Sequence, residues 1–77
     1  MINEETKKEI LERLNAFSSV YSVNYIKGNI AMYNYADGVI DGIEFILSKL
    51  GYDTKIKCGE EPYRIVYKDI VPYGGKR

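Results

Sequence analysis

The chain has 77 residues, enough for one domain with one modest core, because folding at this size buries only about 60% of the surface the unfolded chain exposes. Eleven Lys and Arg balance eleven Asp and Glu, so net charge gives no bias toward nucleic acid, membrane or acidic partners. The absence of His removes the commonest general base and metal ligand, and a single Cys cannot make an internal disulfide.

The N-terminus, Met1-Ile2-Asn3-Glu4-Glu5, is acidic where a signal peptide is basic, and no apolar run approaches the ~20 residues of a membrane span. With an unpaired thiol, this makes a cytoplasmic setting and no membrane partner the expectation. A first helix is expected to be capped by Asn3 or Thr6, and Thr6-Lys7-Lys8-Glu9 has the capping-box pattern. Ile10, Leu14, Phe17 and Tyr21 recur at helical spacing, with Leu11 and Tyr25 widening the stripe. Residues 18–26 are β-branched and aromatic enough to be a strand, but the four-residue spacing of Tyr21 and Tyr25 favours helix.

Lys27-Gly28-Asn29 ends this helix and caps the next. In the second helix Met32, Ala36, Val39, Ile43, Ile46 and Leu50 alternate at spacings of four and three, and Tyr33, Ile40 and Leu47 broaden the face. The resulting apolar arc spans about 160° and is expected to face the core. Lys49 and Gly51 close the helix.

The last third changes period. Tyr52, Thr54, Ile56 and Cys58 alternate with Asp53, Lys55 and Lys57, Gly59-Glu60-Glu61-Pro62 reads as a turn, and Tyr63–Ile70 reads as a second strand stopped by Pro72. The expected fold is α+β in ααββ order: a helical hairpin, then a β-hairpin, in one domain over residues 1–73 with a tail at 74–77.

Chemistry-bearing residues are few. Asp37, Asp41 and Glu44 lie on one side of the second helix. As an acidic contact stripe they could meet a basic partner, but a straight helix does not wrap a cation with the six or more oxygens such ions take, so a solvated face is the simpler reading and no metal is expected. Gly38 and Gly42 cost roughly 2 kcal/mol inside a helix relative to alanine. Together with Tyr35 and Phe45 they mark either close packing against the first helix or an interface with another protein or a second copy. Eight tyrosines among 77 residues exceed what a small core can satisfy, which leaves amphipathic rings for binding surfaces.

The β-hairpin gathers Lys55, Lys57, Tyr63, Arg64, Tyr67 and Lys68, a basic and aromatic surface that could hold single-stranded nucleic acid by phosphate contact and stacking. Lysines that blunt a sheet edge explain the same pattern. Cys58 lacks a base to activate it, and no catalytic constellation or phosphate-cradling loop is present. The expected function is therefore a non-enzymatic protein-binding module, an accessory or inhibitor of the bacterial or phage kind, without cofactor. A nucleic-acid-binding hairpin is the alternative. A homodimer is favoured, since two strands leave two open edges and the second helix carries an extra small-residue flank.

Overall fold

Asn3 caps the first helix of the computed structural model, its side chain accepting a hydrogen bond from the Thr6 amide at 2.7 Å. The structure describes residues 2–59 and 65–73. Helix α1 runs Glu4–Lys27, α2 Ile30–Lys49, strand β1 Tyr52–Cys58 and β2 Ile65–Pro72. Between the helices Gly28 takes φ +78°, its amide bonded to the Tyr25 carbonyl and that of Asn29 to the Asn24 carbonyl. This paired closure needs a left-handed residue, which glycine supplies without Cβ strain. Asn29 then caps α2 by accepting from the Met32 amide, and Gly51 turns the chain into β1 at φ +90°. The expected ααββ order is present.

Residues 18–26 are helical. The rings that made them ambiguous are used across the hairpin: Tyr21 and Tyr25 stack at 6.2 Å between centroids, and both meet Tyr33 edge-on at 5.5 and 5.6 Å. Such pairs add about 0.5–1.5 kcal/mol beyond area burial, and here they pin the closed end of the helical hairpin.

The strands pair antiparallel from Tyr52↔Pro72 to Cys58↔Ile65. The register shifts between Lys55↔Asp69 and Ile56↔Tyr67, which leaves Lys68 as an extra residue in β2. This bulge explains an otherwise impossible burial pattern. Tyr67 and Ile70 are three residues apart, so strict alternation would send them to opposite faces, yet both are buried. They join Leu14 and Leu47 in the core, with Ile10, Leu11, Ile40, Ile43 and Tyr52 packed around them. The hairpin of helices covers one face of the sheet, α1 meeting β2 and α2 meeting β1, in a body of 39 × 26 × 23 Å.

Two expectations about the core are corrected. On α1 the fully buried positions are Leu14, Ser18 and Ser22, while Phe17 and Tyr21 are half-buried and Tyr25 is exposed. The helix divides its burial between α2 and the sheet, so its most enclosed line lies between the two. On α2 the buried line is Ala36 and Leu47, flanked by half-buried Ile40 and Ile43; Met32, Ile46 and Leu50 of the expected core-facing arc are exposed. Two thin strands and one helix cannot cover an arc that wide. The expected turn at 60–62, the first two residues of the second strand and the tail at 74–77 lie outside the described residues.

Candidate functional site

Helix α2 is apolar far beyond the part that the fold covers. With the buried Ala36–Leu47 line as reference and about 100° per residue, the positions facing away from the core are Phe45, Gly38, Ala31, Gly42, Tyr35 and Lys49, bordered by Asn34 and Asp41 on one side and by Ile46 and then Leu50 on the other. The polar side is a narrow strip that includes Asn34, Asp41 and Ser48. An apolar helix face is normally buried, yet Tyr35, Phe45, Ile46 and Leu50 are each more than half exposed.

Gly38 and Gly42 lie within this outer face, and a Cβ built on either meets no atom within 4 Å. Close packing against α1 is therefore not what they serve within one chain; the reading of these glycines as an internal contact is corrected, because the space above them is open. They floor one side of a groove of ≈520 Å³ whose other wall is Ile2 and Ile10 from the start of the chain, with Val39, Ile46 and Leu50 alongside. Tyr35 is steadied by an edge-on contact with Phe17 at 5.8 Å, and the Lys49 ammonium sits 5.4 Å from the Phe45 ring centre. The face thus consists of two held aromatic ridges with a glycine notch between them.

The acidic stripe divides. Glu44 is half-buried and accepts a hydrogen bond from the Tyr67 hydroxyl at 2.7 Å. Asp37 is exposed but lines the same cleft of ≈300 Å³, together with Ser18, Tyr21, Ile56 and Ile65. Asp41 is exposed and lies outside that lining. Burial, then the hydrogen bond and charge of Glu44, then the charge of Asp37, push the Tyr67 phenol well above its ordinary value. These causes favour the protonated phenol as the donor to Glu44.

That placement removes Tyr67 from the expected basic and aromatic hairpin surface. Lys55, Lys57 and Lys68 are exposed, but Tyr67 gives its ring to the core because the bulge turns it inward, and Tyr63 and Arg64 lie outside the described residues. Cys58 is free and exposed at the end of β1. Among the described residues no three His, Cys, Asp or Glu side chains gather closely enough to hold a metal ion, and no helix is long and apolar enough to cross a membrane.

A polar seam escaped the sequence reading. The Asn15 side chain donates to the Tyr67 carbonyl at 3.0 Å and accepts from the Tyr67 amide at 2.7 Å, while the Ser18 hydroxyl donates to the Ile65 carbonyl. Lys7 reaches Asp69 at 3.3 Å, and the Ile70 amide with this ammonium holds the Asp69 carboxyl below its usual range. Lys7, Leu11, Asn15 and Ser18 recur at four, four and three, so the seam had a periodic signal, hidden because its members are mostly polar. In effect α1 supplies the hydrogen bonds that a third strand would give β2.

The chain matches no family model, and comparison with curated proteins and with solved structures returns no match.

Proposed function

We propose that the protein is a non-enzymatic binding module, of accessory or inhibitor type, that engages another protein chain through the outer face of α2. The observation that supports this reading is the exposed apolar face centred on Tyr35, Gly38, Gly42 and Phe45. Contiguous exposed apolar surface on a small chain carries a solubility cost and marks an interaction site. Its two aromatic ridges are the residue type that dominates binding energy at interface centres, and the glycine notch admits a partner backbone to a depth that a Cβ would block. Recognition then rests on shape and desolvation, with little contribution from charge.

The nucleic-acid reading needs exposed rings beside Lys55, Lys57 and Lys68; Tyr67 does not supply one, which leaves Tyr63, outside the described residues, as its remaining ring. Comparative affinity capture tests the choice. Wild type and a Tyr35→Glu, Phe45→Glu variant, both shown folded by circular dichroism, are offered the same soluble extract. A protein held by the wild type and released by the variant supports the α2 face. Identical retention by both, or oligonucleotide binding that falls steeply with added salt, defeats it.

A further inference from the structure

Resting on the reading of α2 as the binding face, we propose that its occupant is a second copy of this chain, packed α2 against α2 in antiparallel fashion about a two-fold axis at the level of residue 40. The outer stripe is symmetric about that point. Ala31 and Lys49 lie nine residues to either side of residue 40, Tyr35 and Phe45 five, Gly38 and Gly42 two. At about 100° per residue these six positions share an arc of roughly 80°, so they form one seam. A two-fold interface must be self-complementary, residue i meeting j where j meets i. Antiparallel pairing at this register sets each Tyr35 against a Phe45 and each Gly38 against a Gly42, rings flanking a notch where the two backbones approach.

The flanks of the seam fix the direction. One flank carries Met32, Val39, Ile46 and Leu50 and opens on the apolar groove; the other carries Asn34, Asp41 and Ser48. An antiparallel two-fold keeps like flanks on the same side, apolar beside apolar and polar beside polar. A parallel pair, with its axis along the helices, would set the apolar flank against the polar one.

The area suits a weak dimer. Met32, Tyr35, Phe45, Ile46 and Leu50 are 40 to 63% exposed, and at roughly 200 Å² per large side chain they leave about 500 Å² of apolar surface per copy. Complete burial of that surface in both copies, with Met32 and Leu50 closing over the flank of the seam, gives about 1,000 Å², the size of a weak, reversible dimer contact.

Two experiments decide it. Sedimentation equilibrium from about 1 to 100 μM should show a species of twice 8.8 kDa, and Gly38→Leu with Gly42→Leu should weaken it at least tenfold, about 1.4 kcal/mol, with helical content retained. In a Cys58→Ser background, Tyr35→Cys mixed with Phe45→Cys should give a mixed disulfide far faster than Tyr35→Cys alone gives its own. Preferential self-linking of Tyr35→Cys means parallel packing and overturns the register. A monomer at 100 μM overturns the dimer. In that case, release of another protein by the Tyr35→Glu, Phe45→Glu variant leaves the binding face standing, whereas unchanged capture removes both ideas.

Discussion

Asn15 shows how one side chain can replace a length of strand. A primary carboxamide presents its oxygen and the N–H syn to it on one edge, which a trans peptide group does not, so it can satisfy both the amide and the carbonyl of Tyr67 at once. Asn15→Ala leaves both groups without that partner and should cost about 2 kcal/mol in chemical denaturation. Asn15→Asp keeps the acceptor, loses the donor and brings a charge against the carbonyl, so it should fare no better. The Tyr67–Glu44 pair makes a second residue-scale test. A double-mutant cycle with Tyr67→Phe and Glu44→Gln should give a coupling of about 1–2 kcal/mol, since the acceptor is a carboxylate. The phenol's pKa is raised in the folded chain. Its contribution is thus complete below the unfolded value of about 10 and is lost above it, because the unfolded chain ionises first. The stability gap between wild type and Tyr67→Phe should narrow above that pH; a constant gap up to pH 11 would mean that Glu44 does not hold the hydroxyl.

At the scale of elements, the glycines separate into two kinds. Gly28 and Gly51 occupy left-handed backbone, so alanine at either should destabilise by about 1 kcal/mol. Gly38 and Gly42 are helical with empty space above them, so alanine at each should stabilise the dilute monomer by up to about 1 kcal/mol. Opposite signs in urea titrations of Gly28→Ala and Gly38→Ala check the assignment. The helix boundaries were legible in the sequence because caps are local: Asn3, Gly28, Asn29 and Gly51 act on residues within a turn of themselves. Strand β1 was legible for the same reason, through its alternation. The bulge at Lys68 was not, because it exists only in the register against Lys55 and Ile56 of the other strand, nor the burial of Ser18 and Tyr67, which partners some 50 residues away set. Of the candidate surface, the glycine stripe and its aromatic neighbours could be named from spacing alone. That the space above them is open required knowing where α1 lies.

Across the whole molecule, burial depends on both halves. Leu14 and Leu47 from the helices share one cluster with Tyr67 and Ile70 from β2, so a chain ending at residue 50 should keep helical content only in part and melt without a cooperative transition; a sharp melt would show that the helical hairpin folds alone. Hydrogen exchange should rank the Tyr67 amide, held by Asn15, among the slow sites, with the outward amides of β1 among the fast.

The clasp on β2 has a further consequence for how copies of this chain meet. A strand pair with two bare edges is bifunctional in the polymer chemist's sense: each unit can link to one before it and one after it, and growth has no natural end. With Asn15 and Ser18 occupying the outer edge of β2, the pair keeps one reactive edge, β1, where Lys55 and Lys57 stand guard. Counted by its sheet edges alone, apart from the α2 face, such a unit is monofunctional. Sheet extension can join two of them and then stops, like a chain terminator meeting its like. Asn15→Val restores the second edge, and light scattering of that variant should keep rising with time where the wild type levels off at the dimer. One carboxamide on a helix thereby sets whether the sheet ends or propagates.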